Sequence, residues 1–140
     1  HAVVPFFGQG MNASFEDCIV LMDFLEEHKR DWKNTLTDYA KHRKPDADAI
    51  AQMAIENYIE MRDSVAQPEY IHRRETANTL YKNFPTRFIP RYNMVSFTSI
   101  SYSQVYERGE IQQNIISTLN GENVDLTLAE SLINEKLPEI

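Results

Sequence analysis

Apolar residues in this chain recur at the helical period, and strand-like alternation is scarce. That pattern restricts the fold to helical architectures, because a 3.6-residue stripe cannot keep to one face of a pleated strand. Phe15, Cys18, Ile19 and Met22 fall at i, i+3, i+4 and i+7 and predict the buried face of a first helix. Asn12 or Ser14 is placed to cap it. Ser14 with Asp17 three residues on resembles a capping box, and Glu16 and Asp17 suit the positive end of a helix dipole. The helix is expected to fade between Glu27 and Arg30, where basic residues favour a C-terminus.

Proline punctuates the chain beyond this helix. A second helix reads through Trp32, Leu36, Tyr39 and Ala40, and Pro45 is expected to interrupt it. Asp46 and Asp48 then stand in the first turn of a third helix, with the stripe Ile50, Met53, Ala54, Tyr58 and Met61. Asn57 belongs to the same stripe, and an amide on an apolar face needs a partner or costs stability. Pro68 opens a fourth helix carrying Tyr70, Ala77, Leu80 and Tyr81, and Pro85 and Pro90 bracket an irregular link over 86–89. The stretch from Asn93 to Ser99 is ambiguous. Tyr102, Val105, Tyr106, Ile115, Ile116 and Leu119 predict another helix, weakened at Gly109. Asn120-Gly121 reads as a turn, and a last helix carries Leu128, Ala129, Leu132 and Ile133 before running out near Pro138.

Composition excludes several functions. The formal net charge of −7 over 140 residues disfavours binding to a phosphate backbone. Cys18 is the only cysteine, so no intrachain disulfide forms, and it reads as inert packing on a buried face. No cysteine–histidine set has zinc-ligand spacing. The densest apolar run, Cys18 to Met22, is far short of the ~20 residues that span a bilayer. The first residues lack the basic region and long apolar core of a signal peptide. The basic runs Lys41-His42-Arg43-Lys44 and Arg73-Arg74 read as solvated helix ends, and His28, His42 and His72 have no carboxylate or cysteine neighbours at metal spacing.

The segment that carries chemistry is Pro5-Phe6-Phe7-Gly8-Gln9-Gly10-Met11-Asn12, immediately ahead of the first helix. Gly8 and Gly10 lack Cβ and let a flat or anionic ligand approach the backbone. The helix start adds unpaired N–H donors and partial positive charge. Glycine spacing alone also fits a plain loop entering a capped helix. No strand precedes it, so it is not a dinucleotide fingerprint.

Taken whole, His1-x-x-x-Pro5-x-x-Gly8-Gln9-Gly10-x-Asn12 with Glu16 and Asp17 beyond it resembles the second flavin-contacting motif of the class A flavoprotein monooxygenases. That motif usually reads Gly-Asp-Ala-Ala-His before Pro-x-x-Gly-Gln-Gly, and here the sequence opens on His1. Phe15-Glu16-Asp17-Cys18, the block Asn57-Tyr58-Ile59-Glu60-Met61-Arg62, and the region from Phe88-Ile89-Pro90 through Met94-Val95-Ser96-Phe97 to Tyr102 narrow the resemblance to the kynurenine 3-monooxygenase family. No block is recognised in the tail.

The resemblance implies FAD as cofactor, NADPH as co-substrate, and hydroxylation of L-kynurenine by O2 to 3-hydroxykynurenine. It implies that Gly8, Gly10, Met11 and Asn12 contact the flavin. It places Pro5, Phe6 and Gln9 beside the substrate ring, and gives Asn57 and Tyr102 the substrate carboxylate, together with an arginine from elsewhere in the enzyme. Phe7, Glu60 and Met61 would line the pocket, with ordinary core packing expected for one of Phe6 and Phe7. His1 would be a structural neighbour.

The fold class expected is mainly α, as the C-terminal helical part of an α/β FAD-binding enzyme. Residues 1–30 would complete the FAD-binding domain and residues 31–140 a helical domain over the substrate pocket, with residues 111–140 as a lid or cap. The chain by itself is expected to bind no FAD. Localisation borrowed from the family is the cytosolic face of the mitochondrial outer membrane. Two other readings stay open: a related flavin hydroxylase of another aromatic acid, and a helical interaction module without cofactor.

Overall fold

The computed structural model describes residues 3–63, 67–119 and 124–140. His1 and the Asn120-Gly121 turn lie outside the described residues. Six helices occur among the described residues, in order: α1 (Gly10–Glu27), α2 (Trp32–Asp63), α3 (Pro68–Asn83), α4 (Arg91–Phe97), α5 (Tyr102–Thr118) and α6 (Leu126–Lys136). No strand occurs among the described residues, as the helical periodicity requires. The ambiguous segment resolves as the short helix α4. The chain divides into two compact units, His1–Tyr58 with Ser101–Ser103, and Ile59–Ile100 with Gln104–Ile140.

In the first unit, α1 ends where expected, and Lys29 and Arg30 turn the chain with φ of 51° and 65°. The Asp31 carboxylate then accepts from the N–H groups of Lys33 and Asn34 at 3.1 and 3.4 Å, satisfying donors at the start of α2.

The expected inward face of α1 is wrong. Phe15, Ile19 and Met22 are 60%, 62% and 52% exposed, and Cys18 is exposed too. Ala13 and Leu25 are buried instead. Five consecutive apolar residues, Cys18 to Met22, span every face of a helix, so periodicity could not choose between them. The expected caps also differ. Gln9 is the N-cap residue and makes no side-chain cap bond, while the Ser14 hydroxyl donates back to Gly10 O at 2.8 Å.

Pro45 does not interrupt α2, which runs unbroken through it. The missing N–H and the ring clash cost about 3 kcal/mol in a helix interior. Tertiary contacts on both sides of the proline offset that cost. Arg43 is buried and donates to Asp17 on α1, Asp46 is buried and accepts from Ser103, and Ile50, Met53 and Ala54 are fully buried further along the helix. The stripe fades after Asn57, with Tyr58 and Met61 41% and 48% exposed.

The second unit has its own core of Leu80, Phe88, Ile115, Ile116, Leu119, Ala129, Ile133 and Leu137. The Asp125 carboxylate caps α6 by accepting from Thr127 N and Leu128 N, both at 3.0 Å. The link 86–89 is held by polar contacts. Arg108 donates to Arg87 O at 2.8 Å and Pro138 O at 2.9 Å, Gln112 donates to Ile89 O at 2.8 Å, and Ile140 N donates to Thr86 O at 3.1 Å. α5 runs unbroken through Gly109. A Cβ there would stand 2.5 Å from Arg91 Nε, so glycine makes room for the guanidinium, which pairs with Glu110 at 3.2 Å.

Candidate functional site

The loop ahead of α1 is a built turn. Gly8 N donates to Pro5 O at 3.2 Å and Phe6 N to Val4 O at 2.9 Å. Gly8 takes φ 67°, a left-handed conformation that side chains resist. Phe7 points inward and is buried, so it is the packing member of the aromatic pair. Phe6 is half-buried and lies against Tyr58, with ring centroids 5.0 Å apart.

The first ladder bond of α1 runs from Ala13 N to Gln9 O at 2.9 Å. The N–H groups of Gly10, Met11 and Asn12 precede it and have no acceptor within the helix. All three residues are exposed, and a Cβ built on Gly8 or Gly10 meets nothing within 4 Å. This helix end can receive a flat group that gains negative charge. The residues present therefore fit a flavin edge by position and by charge.

Behind the turn, two polar side chains that the sequence singled out converge on it. Asn57 Nδ2 donates to Phe6 O at 3.1 Å. This partner resolves the oddity of an amide on an apolar stripe, and it ties α2 to the turn. Tyr102 is buried, and its hydroxyl donates to Gln9 Oε1 at 3.3 Å. Gln9 is itself buried, and Oε1 also accepts from Asn12 Nδ2 at 3.0 Å. Burial pushes the Tyr102 phenol up to about 12, with the carboxylates of Glu16, Asp46 and Asp17 adding to it and Arg43 opposing. Tyr102 is therefore a neutral donor across the working pH range of an enzyme.

Glu60 and Met61 are exposed and belong to the second unit, where Glu60 hydrogen-bonds the Tyr70 phenol; burial and the Glu60 charge raise Tyr70.

The residue that sequence reasoning missed is Arg43. It stands in a basic run expected to be solvated, yet it is buried. Nε donates to Asp17 at 2.8 Å, Nη1 to Asp46 at 3.2 Å and Nη2 to Glu16 at 3.3 Å. Burial works against its charge, but the Asp17 hydrogen bond and the charges of Asp17, Glu16 and Asp46 outweigh it and raise the guanidinium above its usual range. So Glu16 and Asp17 serve Arg43 rather than the helix dipole. The i, i+3 spacing of Arg43 and Asp46 was the one local signal of this pairing. Asp46 Oδ1 in turn accepts from Ser103 N at 2.9 Å and Ser103 Oγ at 2.6 Å. His28 likewise has a carboxylate neighbour that spacing did not reveal, Asp38 at 3.1 Å. No group of three potential metal ligands occurs among the described residues.

The chain is 44% identical to kynurenine 3-monooxygenase of Myxococcus xanthus, over 98% of this chain and 30% of that enzyme. It is a relative of the kynurenine 3-monooxygenases. The enzyme of that name from Stenotrophomonas maltophilia is 42% identical over 99% of this chain and 31% of its own length. The Xanthomonas oryzae enzyme is 45% identical over 91% of this chain and 28% of its own. The chain thus spans about 30% of the length of the curated kynurenine 3-monooxygenases it matches, in their C-terminal part. No family model matches it. The similarity reaches through the tail that carries no recognised block. These relatives are bacterial, which overturns the expected mitochondrial outer membrane. No helix among the described residues is long and apolar enough to cross a membrane.

Proposed function

We propose that this chain forms part of the active site of a flavin-dependent monooxygenase that converts L-kynurenine to 3-hydroxykynurenine, using FAD, NADPH and O2. The observation that carries the reading is the convergence of Asn57 and Tyr102 on the loop 5–9, beside an uncapped helix start at Gly10. Residues 1–30 then complete a FAD-binding domain, and residues 31–140 cover the substrate.

When bound, the flavin supplies the oxygen-transfer chemistry, and the protein supplies position, charge and dryness. The N–H groups of Gly10, Met11 and Asn12, with Gly8 leaving the approach open, stabilise negative charge on the flavin's pyrimidine edge. Pro5 and the buried Phe7 hold the turn in shape, and Phe6 packs against the substrate ring. Tyr102 turns its O–H from Gln9 Oε1 to the substrate carboxylate, and the second N–H of the Asn57 amide donates to the same group. Gln9 then has an acceptor to offer the substrate's amines.

The full-length protein is expected to oxidise NADPH faster when L-kynurenine is present and to release 3-hydroxykynurenine, followed by absorbance at 340 nm and by mass spectrometry. Bound FAD with no kynurenine-dependent product would overturn the substrate assignment.

A further inference from the structure

Asp46 is a buried carboxylate on α2, far from Tyr102 in sequence, and it holds the first turn of α5. Its Oδ1 accepts both the N–H and the hydroxyl of Ser103, at 2.9 and 2.6 Å. Those are the bonds a helix-capping side chain makes, supplied here across the fold instead of from the N-cap position. Its Oδ2 is held by Arg43 Nη1 at 3.2 Å, and Arg43 reaches on to Asp17 on α1 at 2.8 Å. One guanidinium thus ties α1, which continues directly from the loop, to the carboxylate that fixes Ser103. Tyr102 is the residue before Ser103, and its hydroxyl reaches Gln9 at 3.3 Å. Rotation of this first turn would carry the phenol away from the loop.

We infer that Asp46, anchored by Arg43, is a positioning residue for Tyr102, setting the place from which its hydroxyl meets the substrate carboxylate. The inference rests on the proposed kynurenine site, and it adds a residue that touches neither flavin nor substrate. The alternative role for the same contacts is plain stabilisation, which would not be transmitted through one hydroxyl.

A double-mutant cycle in the full-length protein separates the two. Asp46→Ala and Ser103→Ala are each made alone and in a Tyr102→Phe background, the serine variant being the milder should Asp46→Ala fold poorly. Asp46→Ala is expected to raise the KM for L-kynurenine about tenfold with kcat changed less than about twofold, and Ser103→Ala to act in the same direction. In the Tyr102→Phe background each should add less than about twofold, since the hydroxyl they position is gone. The full increase recurring in that background overturns the inference, and so does an unchanged KM in both single variants.

A second readout needs no turnover. With 13C-labelled tyrosine, the Tyr102 resonance, assigned by its loss in Tyr102→Phe, is expected to move in both variants. A wild-type protein that does not hydroxylate kynurenine overturns the functional reading alone, and the resonance then decides the positioning: unmoved, it refutes it.

Discussion

Replacing Arg43 with alanine is expected to destabilise the protein by about 3–5 kcal/mol, read as a lower denaturation midpoint in guanidinium chloride. The size comes from burial. Arg43 is the cation shared by Asp17, Asp46 and Glu16, and its side chain is 8% exposed, against 17% and 12% for the two aspartates. Alanine leaves two largely buried carboxylates without their shared counter-charge, so the cost is more than one lost hydrogen bond. It also removes the tertiary support beside Pro45, where α2 already lacks one ladder bond. Lys44→Ala is the control. Lys44 pairs with Asp48 one turn along the exposed face of the same helix, and its loss should cost no more than about 0.5 kcal/mol. Equal effects from the two substitutions would contradict the burial argument.

Phe88→Ala carries a comparable expectation of about 3–5 kcal/mol, measured the same way. Phe88 is 1% exposed and packs in the core with Leu80, Ile115, Ile116, Ile133 and Leu137. It sits on the irregular link, whose carbonyls are held by Arg108 and Gln112. The backbone around it is therefore fixed and cannot collapse into the space left behind, which puts the cost at the upper end of the range. Phe97, 76% exposed on α4, provides the contrast: its replacement should change stability by no more than about 0.5 kcal/mol.

Helix content and several helix limits were legible because proline acts locally. Pro68 opens α3, and the irregular link holding Pro85 and Pro90 separates α3 from α4, whereas the cap of α6 by Asp125 was not read. Asn57 was legible for a different reason, since a polar residue in an apolar stripe implies a partner, and the Phe6 carbonyl is that partner. Three features were hidden. The inward face of α1 could not be read because its apolar residues surround the helix. The continuity of α2 through Pro45 depends on partners at positions 16, 17 and 103, which no local rule connects to position 45. Arg43 was masked by its neighbours: in a run of four basic residues, charge does not say which one turns inward. The turn within the loop 5–12 was legible from its glycines, and a chemistry for it came only from the resemblance. What the fold added is the return of Tyr102, 93 positions on in the chain, to Gln9.

The central claim is that Asn57 and Tyr102 receive the carboxylate of the substrate, and ligand affinity tests it most directly. The measurement is the dissociation constant of L-kynurenine for the full-length protein and its Asn57→Ala and Tyr102→Phe variants, repeated with the decarboxylated amine of kynurenine. Each variant should bind L-kynurenine about tenfold more weakly, the scale of one lost charge-assisted hydrogen bond, and should bind the amine as the wild type does. Wild-type affinity for L-kynurenine in both variants, or equal losses for both ligands, would contradict it.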